Sequence, residues 1–479
     1  MSRFIANPTP CGHSRRSFLW DVGGGFAGLA LVDLLSRDGF FRNVTAAESP
    51  AYPLKRTAKH CIFLFMNGGP SQVDTFDPKP SLEKYDGKPY TGTTKVGSNG
   101  RQVGYLMKSP FPFTQHGQSG LPISSLFPHV ARHADEICVF RAMYTDTAAH
   151  SSGCLQLNTG SPLTGRPSLG AWLSYGLGTL NDNLPSFVVM TDPRGGPIGG
   201  APNWGAGYMP AQHQGTLFRS GANPLLDLAT PVGVSERTQR HSLDLMEMLN
   251  ASHLAQHPDE SELKARILSY ELAYRMQSKA AEAVDLARED RRTQEMYGLD
   301  QPLTRDFGSK CLITRRLIER GVRFVQLYSG GGHIEATWDG HNDCITNHKM
   351  HAGETDQPIA ALITDLKARG LWEETILVWG GEFGRTPTSE GVGKPGRDHN
   401  WLGYSMWLAG GGVKGGQAIG ATDDLGFAGV EKRTHVSDLH ATILALMGVD
   451  HRQLTYFYNG LNQKLTGVDE RHVVTEAIA

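Results

Sequence analysis

Short apolar runs, each ending in a cluster of turn and polar residues, organise this chain. The run from His60 to Met66 stops at Asn67-Gly68-Gly69-Pro70. Similar runs occupy 137–140, 187–190, 322–328, 375–379 and 404–408. Apolar runs of this length bounded by Gly, Pro and Asn read as strands buried on both faces. The spacing of Ile359, Leu362, Ile363 and Leu366 predicts a helix over 356–369, with Pro358 in its first turn and Gly370 after its last. Strand 322–328, this helix and strand 375–379 form a crossover unit, which requires parallel strands.

The stretch from about 234 to 320 has a different pattern, rich in Glu, Lys, Arg, Ala and Leu. Ser261 to Met276 is amphipathic, and Pro258, Asp259 and Glu260 mark its start. This predicts a helical insertion at about 234–300, then a helix over 305–320 leading into strand 322–328. Before it, 191–232 reads as a long loop rich in Gly, Pro and Asn that carries Arg194, Trp204 and Arg219. At the end, 435–448 reads as an amphipathic helix closed by Gly448. There Asp438 reads as a first-turn acid, and His435 and His440 as packed residues rather than ligands.

Composition narrows the classes. The 57 Gly and 26 Pro among 479 residues suit a globular protein with many ordered loops. A net charge of −2 offers nothing to nucleic acid or to an anionic membrane surface. Ser14-Arg15-Arg16-Ser17-Phe18-Leu19, the mildly apolar stretch Val22 to Leu35 and the small residues Thr45-Ala46-Ala47 form the pattern of a twin-arginine export signal over 1–47. The expectation is a mature domain over 48–479, located in the periplasm or outside the cell, with the Tat translocase as its partner during export. The apolar stretch is short, Gly-rich and broken by Asp33, so no stable membrane span is expected. Gly23-Gly24-Gly25-Phe26-Ala27-Gly28 matches a dinucleotide fingerprint but has no strand before it. Five cysteines beyond Cys11 are scattered without a C-x-x-C pair, which excludes a zinc ribbon and favours burial.

Chemistry gathers where the apolar runs stop. After 375–379 come Glu382 and Arg385, and a second loop supplies Asp398 and His399. Ligand sites in open α/β sheets lie beyond the carboxyl ends of strands, so acid, base and cation here suit an anion, a metal or both. After 322–328 come His333, Glu335, Asp339, His341 and Asp343, with His348 and His351 beyond. Asp339 and His341 are candidate ligands of a zinc-like or harder divalent ion, against the alternative of a solvated polar loop. At His150-Ser151-Ser152 a helix start would aim N–H groups at an anion. His150 or Ser151 is then the candidate nucleophile, against plain N-capping by Ser. After 60–66, Asn67 and Asp74 either face the site or serve the turn.

Taken together, these segments resemble the family called domain of unknown function 1501, grouped with sulfatases and the alkaline-phosphatase superfamily. The resemblance spans nearly the whole chain. It runs through Gly68 to Pro80, Ser269 to Gln277, Trp338-Asp339-Gly340-His341, Glu382 to Pro387, Asp398-His399 and the His435 helix. It implies an α/β sandwich with a mostly parallel central sheet and a site of carboxylates and histidines around divalent metal (zinc, calcium or manganese). By position, Asn67 stands at a first-strand metal-binding Asp and His150 at the nucleophile. Asp339 and His341 resemble a metal-ligand pair. Glu382-Phe383 stands where Asp-His is usual, and His399 resembles the last metal-ligand His. His in the nucleophile position, Asn67 for Asp and Phe383 for His together imply the loss of one of two metal sites.

The reading that follows is an exported hydrolase of a phosphate or sulfate ester, small or carbohydrate-linked. Its metal is held by residues among Asn67, Asp339, His341, Glu382, Asp398 and His399, with Arg385 pairing the anion. The alternative is a non-catalytic protein that holds an anionic glycan in a degenerate site. No G-x-S-x-G elbow or H-E-x-x-H pair supports a serine hydrolase or a zincin.

Overall fold

The structure is a computed structural model that describes residues 58–94, 104–219, 233–256, 261–389 and 394–479. The export signal expected over 1–47 lies outside the described residues. Among the described residues, no helix is long and apolar enough to cross a membrane. The architecture is mixed α/β. Besides three small two-stranded hairpins among the described residues, its strands are β1 (His60–Met66), β2 (Tyr105–Leu106), β3 (Ile137–Tyr144), β4 (Phe187–Met190), β5 (Thr216–Phe218), β6 (Phe324–Ser329), β7 (Thr375–Gly380), β8 (Gly384–Ser389), β9 (Arg397–Asn400), β10 (Tyr404–Ala409), β11 (Gln417–Ile419) and β12 (Thr434–His435). The longer helices are α1 (His150–Thr159), α2 (Leu169–Leu177), α3 (Glu236–Gln256), α4 (Ser261–Val284), α5 (Arg305–Glu319), α6 (Cys344–Ala368) and α7 (Val436–Leu446).

The central sheet runs β11-β3-β10-β7-β1-β6-β4-β5, and β12 extends the β11 edge of β3. All of its pairings are parallel except those of β10, which runs antiparallel to both β3 and β7. β1 shows why the runs are continuously apolar. Ile62, Leu64 and Met66 enter one core, while Cys61, Phe63 and Phe65 enter another on the opposite face. With a side-chain period of two, a strand covered on both faces has no polar side to show. Residues of α4, α5 and α6 fill the first core, and residues of α1, α2 and α7 fill the second. The five cysteines of this region are buried and unpaired by disulfides.

Two local expectations are corrected. The helix expected over 356–369 begins at Cys344, so Pro358 lies inside it rather than in its first turn. Asp343 supplies the cap, accepting from the Thr346 N–H at 3.0 Å. The polar run that follows joins the helix because Asn347, His348 and His351 are buried, and packing overrides weak helix propensity. The run 191–232 is also less irregular than expected. It contains 3₁₀ turns at Ala201–Trp204 and Ala211–His213 and the edge strand β5, while 220–232 lies outside the described residues.

Strands β7, β1 and β6 are neighbours and parallel, so their carboxyl ends open side by side. The turn at Asn67–Gly69, the segment 330–343 and Gly381–Phe383 therefore meet at one place. β8 and β9 form an antiparallel ribbon in which Arg385 is opposite His399. That pairing brings two residues fourteen positions apart in sequence to the same spot.

Candidate metal centre

Four side chains from three segments converge at these strand ends. One ligand atom each from His150, Asp339, His341 and His399 lies within 4.8 Å of the others. His341 Nε2 is 2.9 Å from His399 Nε2. Asp339 Oδ1 is 3.1 Å from His341 Nε2 and 3.5 Å from His399 Nε2. Asp339 Oδ2 is 3.2 Å from His150 Nε2.

Each group is held by local structure. His150 opens α1 behind Ala149, which has no side-chain cap, so the expected capping by Ser is absent. The four first N–H groups of a helix have no intrahelical partner, and here that end meets the cluster. Asp339 follows Trp338, whose N–H donates to the Asn67 carbonyl at 2.8 Å. Gly68, at φ +108°, keeps that approach open. A Cβ there would meet the Asp339 nitrogen at 2.6 Å. His399 is carried on β9, and its loop is pinned by a buried ion pair between Arg397 Nε and Asp74 Oδ2 at 2.7 Å.

Gly396 lies directly against the His341 carbonyl, with no room for a Cβ. Gly396→Ala is expected to push the His341 and His399 loops apart. Metal affinity should fall more than thermal stability does, and a variant that binds metal as the parent does would contradict this packing.

Glu382 and Arg385 lie one bond outside the cluster. The His150 Nδ1–H donates to Glu382 Oε1 at 2.6 Å, and the Gly68 N–H donates to the same carboxylate at 3.0 Å. Arg385 is fully buried, and its Nη1 lies 2.7 Å from Asp339 Oδ1, off the hydrogen-bonding direction. The guanidinium donates to the carbonyls of Gly69, Arg397 and Gly68, the Arg397 bond coming from the same Nη1. Phe383 packs against the rings of both His150 and His399, with centroids 4.8 and 4.7 Å away. An apolar wall therefore stands where the resemblance would place a further ligand.

Charge follows from this geometry. Burial works against an ionised Asp339, but Arg385, His150 and His399 hold its carboxyl well below the usual range. Burial lowers His150, and the nearby carboxylates of Asp339 and Glu382 more than reverse that, so its pKa is raised. Burial takes His399 down to about 4, with Arg385 and His150 adding to the effect and Asp339 opposing it.

The donor set fits a metal ion. With its proton on Nδ1, His150 turns an Nε2 lone pair toward a carboxylate, and two more Nε2 atoms face each other beside it. Buried His150 Nε2 and Asp339 Oδ1 have no hydrogen bond among the described residues. Such an array is stable only around positive charge, whether protons or an ion.

Not every candidate reaches the centre. Asn67 donates to the Gly330 carbonyl at 3.2 Å and accepts from Cys154 Sγ at 3.6 Å. Asp398 accepts from the His399 backbone N–H at 2.7 Å. Ser151 is exposed on the first turn of α1. Of the histidines beyond the cluster, His348 accepts from the Ser71 N–H at 2.8 Å, and His351 stacks on Trp338. His435 caps α7 in a capping box with Asp438, and His440 bonds the Leu157 carbonyl. Arg397, which clamps the His399 loop, was not singled out from the sequence. Its only signal is its place beside Asp398 and His399.

Comparison with known proteins gives a family and remote structural likenesses. No curated protein sequence matches the chain. It is similar to the PsFucS1 sulfatase from Pseudoalteromonas sp. at 14% identity, over 89% of this chain and 76% of that one, with a TM-score of 0.35. It is similar to alkaline phosphatase from the Antarctic bacterium TAB5 at 11% identity, over 82% and 99%, with a TM-score of 0.35. It is also similar to a phosphonate monoester hydrolase from Silicibacter pomeroyi at 14% identity, over 67% and 68%, with a TM-score of 0.30. At such scores no chemistry transfers. Residues 58–478 match one family over most of the chain, and the protein belongs to that family, described as protein of unknown function DUF1501.

Proposed function

We propose that this protein is a hydrolase of a phosphate or sulfate ester that uses one divalent metal ion and is exported by the twin-arginine route. One observation carries the reading: three imidazoles and one carboxylate from three segments of the chain converge within 4.8 Å. His150, Asp339, His341 and His399 would hold the ion. Three nitrogen donors and one oxygen suit zinc or manganese, and disfavour calcium, which takes six to eight oxygens. A bound ion of this kind supplies Lewis acidity toward an ester oxygen and lowers the pKa of water.

The protein's own groups then divide the work. His150 serves as a ligand rather than as a nucleophile, because Glu382 occupies its Nδ1 and Asp339 faces its Nε2. Arg385 fixes Asp339 and spends its remaining donors on backbone carbonyls, so it supports the centre instead of gripping the substrate. The first-turn N–H groups of α1 offer partial positive charge to an anionic ester. His341, with its side chain 24% exposed, marks the open side of the centre, and Ser151 lies exposed on the adjoining turn.

The test is metal content by elemental mass spectrometry, followed by turnover of an aryl phosphate and an aryl sulfate. The expected stoichiometry is about one ion per chain, as for a centre with a single set of ligands. His399→Ala should lose the ion and abolish turnover, and chelation of the parent should do the same. Unchanged turnover in His399→Ala would sink the reading. A tightly held ion with no turnover on any ester would point instead to an anionic-glycan-binding protein.

A further inference from the structure

Resting on that metal-centre reading, we propose that Glu382 is a positioning residue: it acts through His150 and stays outside the ligand set. The sequence groups Glu382 with the metal-binding carboxylates, and the geometry gives it a different task. Its side chain is fully buried, and its oxygens point at His150 Nδ1 and at the Gly68 N–H. The atoms that converge at the centre belong to His150, Asp339, His341 and His399.

A neutral imidazole carries one proton, and the group bonded to one nitrogen decides which nitrogen keeps it. Glu382 accepts from Nδ1, which commits the proton there and leaves the Nε2 lone pair for the centre. The carboxylate also raises the basicity of the ring it holds. Packing keeps this arrangement in place. Gly153, on the next part of α1, sits against Glu382, where a Cβ would meet the Glu382 Cβ at 3.2 Å. A Cβ on Gly381 would meet the Met66 carbonyl at 2.5 Å, so the end of β7 is pressed onto the turn after β1. Glu382 therefore reaches the His150 ring from behind, with helix and strand both fixed. Aspartate at this position would fall short by one methylene, which accounts for a glutamate here.

A double-mutant cycle on zinc and manganese affinity tests this, using calorimetry with a competing chelator. The proteins are the parent, Glu382→Gln, His150→Ala and the double variant, each checked for folding by circular dichroism. Glu382→Gln should weaken binding by roughly 10- to 100-fold, as loss of a partner behind a ligand does. In the His150→Ala background the same change should cost less than about 2-fold, because the two residues act as one unit. Glu382→Asp, run through the same cycle, gives the answer if the Gln variant does not fold. Parent-like affinity in Glu382→Gln, or a full loss that persists without His150, would overturn the proposal in favour of direct ligation or general packing. No metal bound by the parent would instead overturn the metal-centre reading, and this proposal with it.

Discussion

Replacing Asp339 with Ala lowers the stability of the metal-free protein by about 3–5 kcal/mol, the cost of removing one partner from a buried ion pair. Arg385 has no exposed surface, and its guanidinium lies 2.7 Å from Asp339 Oδ1. Without that carboxylate the cation faces only backbone carbonyls, which carry partial charge and no net charge. The raised pKa of His150 depends on the same carboxylate, so a second cation loses support. Asp339→Asn keeps the volume and an acceptor oxygen, and should cost less than the Ala variant. Urea unfolding with excess chelator measures this, since chelation removes the stabilisation that a bound ion would add. A loss below about 1 kcal/mol would show that Arg385 is already balanced by its carbonyl partners. Both variants should also lose the metal, so a single residue links the architecture to the proposed chemistry.

Acidification is expected to weaken the fold well before ordinary carboxylates titrate. Burial holds His440 at about 4, with His435 adding to the effect and the Leu157 bond opposing it. Burial takes His348 to about 3, against the pull of Asp74. In the unfolded chain both would protonate near the ordinary histidine value of 6.5. Between these limits the unfolded state binds more protons, so stability falls as pH falls. For His440 the full span is worth roughly 3 kcal/mol. Below that window Asp74, Asp192 and Asp339, all lowered in the fold, add losses of the same sign. His150, which is raised, and Asp77 and Asp356, whose carboxyls burial raises, work in the opposite direction.

His440→Gln isolates one contribution. The Gln amide can still donate to the Leu157 carbonyl, as His440 Nε2 does at 2.8 Å, but it does not titrate. Relative to the parent, the variant should lose roughly 2 kcal/mol less on going from pH 6.5 to about pH 5. Parallel stability curves for the two proteins would show that His440 protonates in the fold without penalty.

The legible part of this site was the part set by strand ends. Asp339, His341, Glu382 and His399 stand out because each follows an apolar run or sits in a glycine-bounded loop, and such loops cluster at one edge of a parallel sheet. Local chemistry misled where burial decides the outcome. The helix expected from 356 starts at Cys344, because Asn347, His348 and His351 of the preceding polar run pack inward. Arg385 next to a carboxylate reads as an anion grip, and only its depth shows that its donors are already taken.

The roles of Glu382 and His150 divide for the same reason. Sequence order places them more than two hundred residues apart and says nothing of which nitrogen faces which oxygen. By itself the sequence determined the parallel α/β layering, because continuous apolar runs must be covered on both faces. It also determined that acids and histidines gather beyond those runs. Only the tertiary structure decided which four side chains share a centre. That choice depends on strand order, on β8–β9 register and on close approaches at Gly68 and Gly396, which are relations between distant segments that no local pattern encodes.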